Sequence, residues 1–170
     1  MHIETSRLIV RDFAAGDLED LHAILGDGEV MREVEPPYSR EKTAEFLRTF
    51  CIERRGAFAA AERETGKVVG YLLFKPYGEP EIYEMGWIFN RAYWRRGYAF
   101  ESCRALIAHG FSVMGLHKIC AETTDDVISG GLMRKLGMKP EGIQRAQTRN
   151  ADGEWADLYW YGLVASASLL

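Results

Sequence analysis

The segment Trp94-Arg95-Arg96-Gly97-Tyr98-Ala99 carries the clearest chemistry in this 170-residue chain. Two arginines precede a glycine, and apolar or small residues then recur at helical spacing: Ala99, Cys103, Leu106, Ile107, Gly110 and Met114. A turn of little side-chain bulk that opens a helix directly after a strand leaves several backbone N–H groups unpaired. With the helix dipole, those groups make a site for phosphate, and Arg95 and Arg96 add cationic charge beside it. The same residues also fit a plain tight turn with both arginines solvated. No G-x-x-x-x-G-K-[ST] loop occurs, and Gly26-Asp27-Gly28 follows a helix and lacks the third glycine of a dinucleotide fingerprint.

A second candidate is Glu84. Alternation along 81–89 sends Tyr83, Met85, Trp87 and Phe89 to one face as core, and Ile82, Glu84, Gly86 and Ile88 to the other. Glu84 is then the one ionisable group among apolar neighbours on its face. Lining a cleft, it is placed to accept a proton; on a solvated face, it is an ordinary sheet glutamate. His2, His22, His109 and His117 have neither metal nor triad spacing, so no metal is expected. Cys51, Cys103 and Cys120 share no C-x-x-C spacing and read as buried thiols of a reducing compartment.

Positioning these groups requires a run of short elements. The pattern predicts a strand at 8–13, a helix at 17–25 with Leu18, Leu21, His22 and Leu25 on one stripe, and a loop at 26–38 broken by Pro36-Pro37 with at most one helical turn. A helix at 40–54 follows, then strands at 57–63, 68–75 and 81–89 forming an antiparallel meander. The helix after the arginines leads to a strand at 117–123, a short helix at 129–136, and strands at 138–147 and 154–164. This order is mixed α/β with one sheet, and the long helix makes a right-handed crossover to a parallel neighbour. Length alone predicts one domain over 1–170, at about 150 residues per domain. A net charge of −4 and a pI near 5.6 argue against a surface built for polyanions, so nucleic acid is not an expected partner. Apolar runs fall short of the roughly 20 residues of a membrane span, and residues 1–11 lack a signal-peptide core, so a cytoplasmic protein is expected.

Taken together, the motifs resemble the GNAT superfamily of acetyl-CoA-dependent N-acetyltransferases, in its RimJ/RimL-like, ribosomal-protein N-terminal acetyltransferase branch. The 94–99 turn resembles that family's pyrophosphate loop. Thr5-Ser6-Arg7-Leu8-Ile9-Val10-Arg11 resembles the branch's opening strand, and Glu84-Met85-Gly86-Trp87 its E-x-G-Y/W strand. The run from Tyr93 to Glu101 resembles its Y-W-G-K-G-Y-A-T-E turn, Leu132-Met133-Arg134-Lys135-Leu136-Gly137-Met138 its V-L-E-K-L-G-F/M segment, and Asp152-Gly153-Glu154-Trp155-Ala156-Asp157 its closing hairpin. The five motifs arrive in order over about residues 5–164. The departures are Trp94 for Gln or Arg, Arg95 for Gly, Asp126 for the usual Asn, and Gly130-Gly131 for bulkier residues.

The resemblance implies a single GNAT-like domain, a mostly antiparallel mixed sheet of about seven strands splayed at the cofactor site, and helices on both faces. It implies acetyl-CoA as co-substrate, with backbone groups of Trp87, Ile88 and Phe89 along the pantetheine arm. Arg95, Arg96, Gly97, Tyr98, Ala99 and Phe100 would lie at the diphosphate, with Asp126 and Ser129 near the thioester. Glu84 would accept the amine proton, and Ser129 would donate to the departing thiolate, since Met133 stands where many relatives have a tyrosine. Transfer would go by direct attack on acetyl-CoA in a ternary complex. The acceptor would be a protein N-terminus or a small amine, drawn by carboxylates among Glu35, Glu62 and Glu84. A homodimer is common among relatives, and Trp155, Tyr159, Trp160 and Tyr161 would serve hairpin and interface packing. The alternative is a non-catalytic acyl-CoA-binding module with a diverged acceptor site.

Overall fold

The computed structural model describes residues 1–150 and 152–165. Strands β1 (His2–Glu4) and β2 (Leu8–Asp12) precede helices α1 (Leu18–Leu25), α2 (Gly28–Met31) and α3 (Arg40–Phe46), the last widening into a π-helical segment at Leu47–Glu53. Then come β3 (Ala57–Glu62), β4 (Val68–Tyr77), β5 (Glu79–Phe89), α4 (Tyr98–Ser112), β6 (Lys118–Thr123), α5 (Ile128–Lys135), β7 (Lys139–Arg149) and β8 (Trp155–Val164). They form one sheet in the order β1-β2-β3-β4-β5-β6-β8-β7. Every neighbouring pair is antiparallel except β5–β6, the crossover made by α4. The sheet has eight strands rather than about seven. The added strand is β1, folded back on β2 by the Thr5 N–H to Leu8 carbonyl bond, and at three residues it is too short to show alternation.

Both sheet faces are covered, so β3 runs as five buried residues with no polar partner in the alternation. Its odd members, Ala57, Ala59 and Ala61, pack with Leu21, Ile24, Leu25 and Leu47 of the first helices. Its even members, Phe58 and Ala60, join Phe74, Met85, Leu106, Phe111, Ile119 and Met133 under α4 and α5. Each fully buried Leu or Phe contributes about 1.5–3 kcal/mol of transfer free energy. The buried stripe of α1 is Leu21, Ile24 and Leu25. His22 sits at its edge, its ring nitrogen 3.1 Å from the Thr43 hydroxyl. Ser39 caps α3 by accepting from the Lys42 N–H at 3.1 Å, without an acidic partner three residues on. All three cysteines are buried and free. Among the described residues no helix is long and apolar enough to cross a membrane.

Asp125 leads into the short helix α5, its side chain accepting from the N–H groups of Val127 at 2.9 Å and Ile128 at 3.0 Å. Asp126 instead accepts from the Tyr161 hydroxyl and from Arg134, which lower its carboxyl from the usual range. Gly130 makes that cluster fit, since a Cβ there would lie 2.5 Å from Asp126 Oδ1; nothing in the structure explains Gly131. Asp125→Ala should therefore cost about 1 kcal/mol, the usual value of a side chain that bonds the N–H groups at a helix start. Thermal unfolding should show a loss of roughly 2–4 °C.

Candidate active site

The sheet opens at one place. Strand β5 is paired with β4 as far as Phe89, and β6 with β8 as far as Thr123. The two meet each other only at Ile82–Lys118, Tyr83–Ile119 and Glu84–Cys120. Beyond Glu84 they diverge, so residues 85–89 turn backbone groups toward a gap inside the sheet. Unpaired strand groups bind an amide-bearing chain as an added strand would. The fork has room for such a chain, and Trp87, Ile88 and Phe89 lie along its open arm.

At the open end of the fork is the 94–97 turn. The Trp94 indole N–H donates to the Phe89 carbonyl at 2.8 Å and closes off β5. Arg95 and Gly97 both have positive φ, 61° and 78°. Gly97 gives α4 no side-chain cap, so the first-turn N–H groups at Tyr98, Ala99 and Phe100 remain available. Arg95, Arg96 and Gly97 are exposed, and among the described residues neither arginine has a carboxylate partner. The Tyr98 side chain, in contrast, is buried and donates to Glu62 at 2.9 Å, so only its backbone faces the turn. Phe100 lies between two further cations, with Lys135 Nζ 4.5 Å and the Arg104 guanidinium 5.7 Å from its ring. This geometry favours the anion-site reading over a merely tight turn.

The opening Thr5-Ser6-Arg7 run braces that turn. Glu101 accepts from the hydroxyls of Thr5 (2.6 Å) and Ser6 (3.0 Å) and from the Arg7 N–H (2.8 Å) and Nε (2.7 Å). Arg7 also donates to the Arg96 carbonyl at 2.9 Å and covers the Tyr98 ring at 4.6 Å. Burial alone would raise the Glu101 carboxyl, but these donors outweigh it and bring it down from 4.5 to about 2. A depressed carboxyl stabilises the fold above its unfolded pKa and loses that contribution as pH falls through the folded one. The stability gap between wild type and Glu101→Gln should thus be full above about pH 4.5 and close as pH falls toward 2, in urea melts across that range.

The acidic groups sort differently from the expectation. Glu62 is occupied by Tyr98; Glu35 accepts from the Tyr38 hydroxyl at 2.7 Å and pairs with Lys42 at 3.2 Å. Glu84 does sit at the fork, on the last shared rung, and is nearly buried. It is not solitary, because Lys75, opposite it on β4, places Nζ 2.7 Å from Oε2. Glu122 completes the group. It lies two residues beyond Cys120, so it shares the Glu84 face on the other arm of the fork, opposite Trp160 of β8. Solvent reaches it, yet the surrounding protein strips part of its hydration and the Glu84 charge adds to this. Its carboxyl is pushed above the usual range, with Lys75 pulling the other way. Alternation along 117–123 could have flagged it; the strand pairing that makes it a neighbour of Glu84 could not be read. Cys120 is pushed up to about 11 by burial and then by Glu84, which makes it a poor nucleophile.

Ser129 stands in the first turn of α5, with no hydrogen-bond partner for its hydroxyl among the described residues. Asp126, expected near the thioester, has its carboxylate bonded to Tyr161 and Arg134. On the Glu84 face, past the closed end of the fork, lies a groove of about 570 Å³. Tyr77, Ile82, Cys120, Ile143 and Trp160 line it, with Lys118 and Glu141 paired at 2.7 Å. Trp160 forms part of the wall of this groove. Trp155 is exposed, with Arg149 over its ring at 4.0 Å, and Tyr161 serves Asp126.

A fork that accepts an amide-bearing chain, ending at an uncapped helix amid free arginines, is matched by a family model. The Acetyltransferase (GNAT) domain covers residues 7–139. The chain belongs to the GNAT acetyltransferase family. The N-acetyltransferase YnaD of Bacillus subtilis (strain 168), itself uncharacterized, is 31% identical over 166 residues, 96% of this chain and 97% of that one. A GNAT acetyltransferase from Bacillus anthracis has a TM-score of 0.89 at 31% identity, covering 96% of this chain and 98% of that one. The spermidine N-acetyltransferase of Vibrio cholerae, solved with CoA and spermine, has a TM-score of 0.84 at 19% identity, covering 97% and 99%. At that identity the likeness is one of fold, and the acceptor is a separate question. The enzyme is an acetyltransferase, and the non-catalytic module is set aside.

Proposed function

We propose that this GNAT enzyme transfers the acetyl group of acetyl-CoA to a primary amine held against Glu122 and Glu84, on the groove side of the fork. The observation that carries this reading is the pair of carboxylates where the fork closes, Glu84 ion-paired with Lys75 and Glu122 on the same face of the next strand, its carboxyl raised by lost hydration and the Glu84 charge. Attack requires a neutral amine, whereas an α-ammonium has a pKa of about 8 and a lysine-like one of about 10. Glu122 accepts that proton first; the neutral nitrogen then bonds to the acetyl carbon, and as the carbon–sulfur bond breaks the nitrogen gives up a second proton, which balances the one taken up by the departing sulfur. Glu84, balanced by Lys75, steadies the ammonium before it is deprotonated. Ser129 is offered as the donor to the departing sulfur, at a helix end whose dipole favours an anion. No step needs a cysteine or a metal ligand from this chain. The buried free thiols support a reducing, cytoplasmic setting.

The test is release of free CoA thiol from acetyl-CoA across a panel of primary amines, with the acetylated product weighed by mass spectrometry. Amine-dependent release with a matching mass gain of one acetyl group is expected; release at the buffer rate for every amine sinks the reading. Ser129→Ala should reduce turnover by roughly 10- to 1,000-fold. That gap should narrow with a thioester of a more acidic thiol, which needs less help to leave. A gap that stays constant across leaving groups assigns Ser129 a structural part only.

A further inference from the structure

The groove beyond the fork points to the class of amine, an inference that rests on transfer taking place at Glu84 and Glu122. Its near end adjoins those carboxylates, because Cys120 is the rung opposite Glu84 and Trp160 the rung opposite Glu122. Its walls are aromatic and aliphatic. The rings of Tyr77 and Trp160 lie 5.5 Å apart at 41°, and Tyr77 and Ile143 expose 44% and 48% of their surface. The Trp160 indole N–H is shut off from solvent and finds no acceptor, so this residue offers the groove its ring and not a hydrogen bond.

The charges on this face are nearly all spent. Lys118 pairs with Glu141 and Lys75 with Glu84, both at 2.7 Å. That leaves Glu122 for one ammonium, because the groove's own Lys118 and Glu141 neutralise each other. Glu79 stands at the exposed outer rim, where solvent and salt screen it. A polyamine would need free anionic partners along its length, and of the two carboxylates that line the groove Glu141 is held by Lys118 and Glu79 is screened at the rim. We propose that the acceptor is a monocationic arylalkylamine, its ammonium on Glu122 and its ring against Tyr77 and Trp160. An aromatic body recovers the burial of those walls and gains ring–ring contact.

Initial rates of CoA release with 2-phenylethylamine, n-butylamine, spermidine and an aromatic-free tetrapeptide test this, on wild type, Trp160→Ala, Trp160→Phe and Tyr77→Ala. Wild-type kcat/KM should favour 2-phenylethylamine by at least about tenfold over the other three, within the range an apolar pocket can discriminate. Trp160→Ala and Tyr77→Ala should each collapse the phenylethylamine-to-butylamine ratio toward one, mainly through KM. Trp160→Phe, which keeps a ring, should retain most of that ratio. A melting curve checks each variant's fold, and Tyr77→Ala stands in if Trp160→Ala is unfolded. Spermidine or the peptide preferred by wild type, or a ratio unmoved by both alanine variants, overturns the proposal while amine transfer itself survives. No turnover with any amine overturns both.

Discussion

Glu122→Gln should lower kcat for the true acceptor by about 10²–10⁴-fold, the usual contribution of a positioned base. The affinity for acetyl-CoA should change little, because the lost function is proton acceptance and Glu122 is not on the 94–100 turn. Raising the pH should restore part of the rate, since more of the amine then arrives neutral. Wild type should lose activity on the acid side as Glu122 takes up a proton. Burial and the Glu84 charge raise that carboxyl, so the acid limb should fall above the ordinary carboxylate range. Glu84→Gln makes the contrast. It strips Lys75 of its partner and leaves an ammonium facing the incoming amine, so KM should rise more than kcat falls. If the acid limb disappears in Glu84→Gln and persists in Glu122→Gln, the two carboxylates have exchanged roles.

Gly97→Val should weaken acetyl-CoA binding at least about tenfold, or 1.4 kcal/mol, by calorimetry. At φ = 78° an L-residue costs about 1–2 kcal/mol, and a β-branched side chain also blocks approach to the first-turn N–H groups of α4. A Cβ there would lie 3.5 Å from the Arg7 guanidinium, so space for the first atom is not the obstacle. Gly97→Ala should consequently show the strain with less of the blockade. Arg96→Ala should cost less than Gly97→Val, and its loss should shrink as salt is added. Affinity left intact in a folded Gly97→Val protein would remove the diphosphate from this turn.

What could be read from the residues was whatever depends on near neighbours. The alternation of β5, the small-residue turn before α4 and the order of strands from residue 8 onward are all local patterns, and the structure agrees with them. What escaped depends on register between distant segments. Lys75 and Glu84 are nine residues apart in sequence, yet whether they face each other depends on the hairpin between them. Glu122 meets Glu84 only through a parallel pairing made by a crossover helix. Asp125 and Asp126 are adjacent, and their different parts depend on Tyr161, from another strand, which holds Asp126 while Asp125 bonds the start of α5. The bracing of the turn by Arg7 and Glu101 likewise joins residues 94 positions apart, each within its own local motif.

Three rungs hold the two halves of the sheet together at β5 and β6. Backbone pairing along that joint is sparse, and the hydrophobic core beneath it, with Met85 on one side and Ile119, Ala121 and Tyr161 on the other, makes the connection instead. An amide-bearing cofactor laid along residues 85–89 would add hydrogen bonds where the sheet has fewest, beside the arm that carries Glu122 and most of the groove.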